Sequence, residues 1–431
     1  MTTQGIYDLL RQKWSDFLTG GSNYNTQDPS IAAQISLTDQ NVKKYWSSMN
    51  TSSGTPSLWS DLPSTTSSAQ VSTAYTRLRS MALAYATTGS QYQGNATLLS
   101  ALSFGLDWMS TNRYTPSTTE YDNWWDWEIG SPQLLNDTMV LLYSQLSSTQ
   151  ISNYLSAIDH FVPDPNKMIS GKVISTGANR SDLAQVVIIR GIVGQSSPKI
   201  SQGRDALSDV SGGGAHSLFT FVTSGDGFYA DGSFIQHTVF AYTGSYGVVL
   251  LGGLARLLSL LSGSDWAVTD PNAANVYHWV YTSYEPLIYQ AAMMDMVRGR
   301  AISRSSSQDH VAGDSAISSI IQLAQSASPT DATNFKSMAK TWIQGDTFRN
   351  YFSNRSIPAI LAAQAILNDL TIPPRPTLVM HKQYAAMDRV VHRRPTFGFG
   401  ISMSSHRIAN YESINDENLH GWYTGDAGSR H

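Results

Sequence analysis

The chain contains no cysteine. That absence excludes a disulfide framework, a thiolate metal site and a cysteine nucleophile. It assigns no compartment, because many secreted bacterial proteins also lack cysteine. Charge is scarce as well: 14% of the 431 residues are Asp, Glu, Lys or Arg, and the formal net charge is −4. A generally basic surface for nucleic acid is therefore not expected, and an anionic ligand would need a local basic site. Long apolar runs are missing too. The best candidate, "VVLLGGLARLLSLLSG" (248–263), is short and interrupted by Arg256, so it reads as a buried helix and no membrane span is expected. "MTTQGIYDLL" has neither a basic start nor an apolar core, so it does not read as a secretion signal. Either the protein is cytoplasmic or the sequence is a mature form carrying an added Met.

Several familiar chemistries are absent. There is no G-x-S-x-G, no P-loop, no G-x-G-x-x-G and no H-E-x-x-H, and the ten histidines show no metal-ligand spacing. Neither a metal nor a nucleotide cofactor is expected. What is plentiful is Ser, Thr, Asn, Gly and aromatic residues, a mixture common in secreted proteins that handle carbohydrate.

Up to about residue 370 the apolar spacing is mostly helical. "VSTAYTRLRSMALAYATT" (71–88), "SPQLLNDTMVLLYSQL" (131–146), "AISSIIQLAQSA" (316–327) and "IPAILAAQAILNDL" (357–370) repeat apolar residues at three- and four-residue steps. Short Gly, Ser, Asn and Pro clusters separate them, as in stacked helical hairpins, without a strict repeat. "TIPPRPT" (371–377) then breaks the helical pattern. Beyond it "FGFGISMSS" (397–405) alternates with period two, which predicts a strand. The expectation is a mainly α chain: an irregular helical toroid or bundle over 1–370, a Pro-rich linker over 371–377, and the opening of a β domain over 378–431. About 55 residues are too few for most complete sandwiches, so the β part is expected to be truncated.

Four stretches carry candidate chemistry. "NWWDWEIG" (123–130) packs three tryptophans with Asp126 and Glu128. Tryptophans are often core residues, yet adjacent Trp124 and Trp125 point in different directions on a helix, so one element does not easily bury both. Exposed faces there would suit sugar rings. "TGANRSD" (176–182) reads either as a loop ending in a helix cap at Asn179 or Ser181, or as an amide donor, Asn179, for an anionic oxygen. "VRGRAISR" (297–304) holds Arg298, Arg300 and Arg304. On a helix, Arg300 and Arg304 would share a face, either solvated or turned toward carboxylates of the protein or of a ligand. "DGSFIQHTVFAYTGSYG" (231–247) sets His237, Tyr242 and Tyr246 close together. Singly they read as packing residues; with arginines nearby, a tyrosine gains phenolate character.

Together these stretches resemble polysaccharide lyase family 8, whose members include hyaluronate, chondroitin AC and xanthan lyases. The resemblance rests on "NWWDWEIGSPQLLNDT", "TGANRSDLAQ", "DGFYADGSFIQHTVFAYTGSYG", "VRGRAISR" and "NYESINDENLHGWYTGD", in this order, and extends to about residue 426. It implies an incomplete (α/α) toroid followed by the start of an antiparallel β-sandwich domain. It also implies cofactor-free β-elimination, in which the C5 proton of a uronic acid leaves and the C4–O glycosidic bond breaks. On the matching positions, Asn179 neutralises the uronate carboxylate, His237 and Tyr246 handle protons, and Arg300 supports them. Tyr246 rather than Tyr242 falls at the catalytic tyrosine, being the tyrosine of "GSYG". Glu412 is the residue expected to orient the asparagine and the arginine. Asn123, Trp124, Trp125, Tyr242 and Arg304 are expected to bind substrate.

The implied substrate is an acidic polysaccharide, hyaluronan or chondroitin. Xanthan is the alternative; for a xanthan lyase a tyrosine is expected where this chain has Ser306. The resemblance further implies a secreted protein, monomeric where its β region is complete. Because the family's β region continues beyond "GWYTGD" whereas "AGSRH" closes this chain, a fragment is expected, with its segment after 370 the least stable part. Two other classes stay open: a glycoside hydrolase using Asp126 and Glu128, and a carbohydrate binder using the tryptophans alone.

Overall fold

A computed structural model describes residues 3–426 and 428–430. Met1, Thr2, Ala427 and His431, and with them the ends of "MTTQGIYDLL" and "AGSRH", lie outside the described residues. The chain is mainly helical, with small antiparallel sheets. Two compact units comprise residues 1–175, 182–206 and 354–361 on the one hand, and 176–181, 207–353 and 362–431 on the other.

In the first unit, helices Thr3–Thr19, Pro29–Ser47, Ser68–Ala86, Ala96–Asn112, Ser131–Leu141 and Ser148–Phe161 follow one another. Local chemistry sets their starts. Asp28 accepts from the amides of Ser30 and Ile31, with Pro29 in the first turn. Asn95 caps Leu98, and Ser147 with Gln150 forms a reciprocal capping box. The predicted apolar stripes face inward: Leu78, Met81, Leu102, Leu106, Leu135 and Met139 are buried, and Ser68–Ala86 packs on Ser131–Leu141. The stretch predicted as one helix over 131–146 stops at Leu141 and tightens into a 3₁₀ turn at Tyr143–Gln145.

In the second unit the apolar run forms the helix Tyr246–Leu261, which buries Leu250, Leu251, Leu254, Leu257 and Leu261 and packs against Asp309–Leu323. Helical spacing does not hold throughout. Gly227–Phe228, Phe234–Gln236 and Phe240–Ala241 pair antiparallel, because the glycines and turn residues between them interrupt any 3.6-residue stripe. Residues 371–377 form neither helix nor strand apart from a short turn.

After them, Met380–Tyr384, Arg389–Arg394, Phe397–Ser402 and Gly428–Arg430 form a four-stranded antiparallel sheet. Its inward positions include arginines. Arg389 donates to the carbonyls of Met296 (2.7 Å) and Met403 (2.6 Å), and Arg393 to those of Pro286 (2.9 Å) and Ile288 (2.8 Å). Burial pushes the Arg389 guanidinium down to about 10, and the ring of carbonyl dipoles is what makes a charge there tolerable. These arginines, with the Tyr384 hydroxyl donating to the Thr282 carbonyl at 3.0 Å, fasten the sheet to residues 282–296.

Candidate active site

Tyr246 is the first residue of its helix, half-buried, and its hydroxyl accepts from Nη2 of Arg300 at 3.1 Å. The guanidinium carbon also lies 5.7 Å from the Tyr246 ring centroid. The ring of His237 stands 4.8 Å from that of Tyr246, at 63°. His237 sits just past the strand Phe234–Gln236 in a left-handed conformation (φ 53°), as does Thr238 (φ 66°). Two consecutive non-glycine residues in that region form a strained turn. It swings the imidazole out of the strand, and Nδ1 meets Oε1 of Glu412 at 2.5 Å.

Glu412 is the hub. It is 3% exposed and receives His237 on one oxygen and, on the other, the Tyr242 hydroxyl and Arg300 Nη1 (2.7 Å). Desolvation alone would raise its pKa, but the hydrogen bonds from His237, Tyr242 and Arg300 outweigh it and hold the carboxyl below the ordinary range. An anionic Glu412 makes Nδ1 of His237 the donor in that bond.

Tyr242 lies elsewhere than expected. Instead of meeting substrate it is fully buried, donates to Glu412, and accepts from the backbone amide and Nη1 of Arg300 (3.2 Å each). Desolvation, with the Glu412 charge, pushes its phenol well above the ordinary value. Tyr242 is a support for the arginine, and Tyr246 is the accessible phenol. Gly299 (φ +53°) makes this approach available: a Cβ there would fall 2.1 Å from Cε1 of Tyr242.

Arg300 and Arg304 do not sit on an α-helix; Gly299–Ser303 is a 3₁₀ segment and Arg304 follows it in extended form. They still converge. Glu417 accepts from Nε of Arg300 (2.7 Å) and from Nε and Nη2 of Arg304 (2.6 and 2.9 Å). Of the two readings of this pair, the structure thus shows the protein's own carboxylates. Arg304 keeps a 39% exposed side chain. Glu417 was not among the sequence candidates, although it stands inside "YESINDEN"; nothing local marks it as a second partner of the arginines. Arg298 is buried, pairs with Asp295 and donates to the Ala301 and Ser307 carbonyls, so it holds the loop rather than the cluster.

Asn179 is not a cap. The helix Gly177–Val193 begins two residues before it, so Asn179 lies in the first turn, 5% exposed. Next to it, the Ala178 amide donates to Gln236 Oε1 at 3.2 Å, which ties this turn to the residue preceding His237.

In the first unit, "NWWDWEIG" contains a turn of π-helix at Asp126–Gly130 leading into Ser131–Leu141. Asn123 initiates it, its side chain accepting from the Trp125 amide at 3.1 Å. Three tryptophans have three fates. Trp127 is fully buried and donates to the Tyr121 carbonyl (2.8 Å), Trp124 is half-buried, and Trp125 is 41% exposed while its ring covers Gly130. The two carboxylates diverge. Asp126 accepts from the Ser68 and Ser72 hydroxyls (2.7 and 2.6 Å), and Glu128 from the amides of Ile169 and Ser170 (3.0 and 2.6 Å). They do not form a pair facing one bond.

A phenol beside a guanidinium, with an imidazole held by a buried carboxylate, is an arrangement whose groups can take up and return protons. Comparison with known proteins gives it a family. Residues 14–341 match the N-terminal α-helical domain of polysaccharide lyase family 8 and residues 379–429 match its super-sandwich domain. The chain belongs to polysaccharide lyase family 8. It is 46% identical over 421 residues to a xanthan lyase of Bacillus sp. (strain GL1), covering 97% of this chain and 44% of that protein. It is 40% identical, also over 421 residues, to a hyaluronate lyase of Thermasporomyces composti, covering 97% and 52%. Among solved structures, the Streptomyces coelicolor A3 chondroitin AC lyase in complex with chondroitin sulphate superposes with a TM-score of 0.90 at 39% identity, covering 98% of this chain and 57% of that one. The chain spans about half the length of the curated relatives it matches. The mainly α chain that leads into an antiparallel sheet is the fold expected from the sequence.

Proposed function

We propose that the protein cleaves an acidic polysaccharide, hyaluronan or chondroitin, by β-elimination at the uronic acid. The observation that carries this reading is the Tyr246–Arg300–Glu412–His237 cluster, in which one accessible phenol accepts from a guanidinium and one imidazole is oriented by a carboxylate. Asn179 hydrogen-bonds the uronate carboxylate as enolate character develops, which stabilises the transition state. Tyr246, as phenolate, takes the C5 proton, and the C5–H electron pair is held as the enolate of the adjacent carboxylate. That pair then forms the C4=C5 double bond as the C4–O bond breaks, and the C4–O electron pair, on the leaving oxygen, receives the proton back from Tyr246. The phenolate is thereby restored and no cofactor is consumed. His237 and Arg300 hold charge and protons around that exchange. Asn123, Trp124, Trp125 and Arg304 bind the polymer. Residues 1–370 act as the catalytic helical domain, 371–377 as a linker and 378–431 as the opening of the β domain. We further take the protein to be secreted; among the described residues no helix is long and apolar enough to cross a membrane.

A second reading within the family, xanthan as substrate, is favoured by the 46% identity to a xanthan lyase. Ser306, in place of the tyrosine expected there for a xanthan lyase, favours the first. One experiment ranks all readings: the chain is incubated separately with hyaluronan, chondroitin and xanthan. A lyase produces an unsaturated uronide that absorbs in the ultraviolet, a hydrolase produces reducing ends without that absorbance, and a binder produces neither. Absence of the absorbance with all three polymers overturns the proposal.

A further inference from the structure

The proposed chemistry needs Asn179 and His237 at a fixed separation, yet they lie on chain segments nearly sixty residues apart. One side chain spans both segments. Asp226 Oδ2 accepts from the Thr176 hydroxyl (2.8 Å), immediately before the Asn179 helix, and from Gln236 Nε2 (2.9 Å). Its Oδ1 accepts from the Thr238 amide (2.7 Å), inside the left-handed turn that presents His237. Gln236, fully buried, closes the ring by accepting from the Ala178 amide with its own oxygen. Both ends of the clasp are therefore one residue from a proposed catalytic group: Ala178 beside Asn179, Gln236 and Thr238 on either side of His237. Gly177 completes the fit. It has φ +53°, and a Cβ there would stand 2.2 Å from Gln236 Oε1, so only glycine lets the helix start close on the glutamine.

We infer that Asp226 is a positioning residue that sets the distance between the carboxylate-binding amide and the proton-transfer pair, with Gln236 as its buried second arm. The inference rests on the proposed elimination for its consequence, though not for its geometry. A carboxylate suits the position because it is the one side chain that accepts on both oxygens at once; an amide accepts on one only. Three donors converge here, so losing the acceptor leaves the side-chain amide of the buried Gln236 unmatched and frees the strained His237–Thr238 turn to relax. A misplacement of about 1 Å in such a site can lower turnover on the order of 100-fold.

The test combines a thermodynamic cycle with hydrogen exchange. Asp226→Asn and Asp226→Ala are each made alone and on Asn179→Ala. Alone, Asp226→Ala is expected to lower kcat by about 100-fold and Asp226→Asn by about 10-fold, with KM little changed. In the Asn179→Ala background the same changes should cost about threefold or less, because the group being positioned is already gone. A merely structural role would instead give losses that multiply in full, together with a lower Tm, and that result overturns the inference. Exchange of the Ala178 and Thr238 amides is read in parallel, independently of activity, using Asp226→Asn where Asp226→Ala fails to fold. Joint loss of protection at both amides supports the clasp, and unchanged protection overturns it. Inactivity of the unsubstituted chain on every polymer would count against the elimination reading, while the exchange data would still decide the clasp.

Discussion

Two glutamates, one in each compact unit, are buried to the same degree: Glu128 is 2% exposed and Glu412 3%. Their acidities move in opposite directions. Glu128 meets two backbone amides and a second carboxyl, that of Glu120; desolvation dominates and the carboxyl is pushed up to about 8. Glu412 suffers desolvation too, but an imidazole, a phenol and a guanidinium all donate to it, and it ends below the ordinary range. Burial sets the penalty and the partners set its outcome. Glu412 is thus an anion on which three donating side chains converge, whereas Glu128 fastens the turn at 169–170 with its carboxyl raised.

The second region breaks most completely at the accessible phenol. Tyr246→Phe is expected to lower turnover by about 1000-fold or more, within the range removed with a general acid–base group. Polymer affinity should stay near its starting value, since the ring is retained. Steady-state kinetics set beside calorimetric binding measures the split, and near-normal turnover would remove Tyr246 from the mechanism. Glu412→Gln comes next. It keeps the volume but strips the charge that orders His237 and Arg300, so kcat should fall by roughly 100-fold. The matching change Glu128→Gln should leave kcat within about threefold, which is the sharpest statement of the contrast.

A smaller effect is expected at the tryptophans. Trp125→Ala, alone or with Trp124→Ala, should raise KM roughly tenfold, equivalent to about 1.4 kcal/mol, with saturated turnover little altered. Trp127→Ala is the internal standard. It empties a fully buried site and should destabilise the unit by about 3–5 kcal/mol. Should calorimetry find Trp125→Ala as destabilising as Trp127→Ala, the exposed ring is a packing residue after all.

The ease with which these regions could be read from sequence also differs, for a physical reason. Helical stripes such as 71–88, and the run 248–263, are local patterns, and a chain this poor in charge carries them with little interference. The histidine, tyrosines and arginines were legible as a concentration of chemistry-bearing residues, and the family resemblance ordered them. Partners distant in sequence were not legible. Asp226, Glu417 and the strand residues Arg389 and Arg393 carry no local mark of their roles, because the groups each of them bonds lie elsewhere in the chain. The family resemblance tells Tyr246 from Tyr242 in sequence, but that the fold buries Tyr242 and leaves Tyr246 at a helix start is visible only in the structure.

The smallest expected effect concerns stability rather than activity, and it tests the comparison from the Glu128 side. A carboxyl raised to about 8 in the folded chain binds its proton more tightly than it does unfolded, where its ordinary value is about 4.3. Between those two values the folded state holds more protons than the unfolded state, so stability falls as pH rises through the window and levels off above about 8. Glu412 has the opposite sign: its contribution is present above the ordinary carboxylate value and is lost as pH falls. Glu128→Gln replaces the carboxyl with a neutral group that still accepts one of the two amides, from Ile169 or Ser170. The variant should therefore match or slightly trail the parent near pH 5 and overtake it by a few degrees in Tm near pH 8. Melting curves at half-unit pH steps measure the crossing. Parallel curves across the whole range would mean that Glu128 is ionised throughout, and that the two buried glutamates do not differ in the way their partners imply.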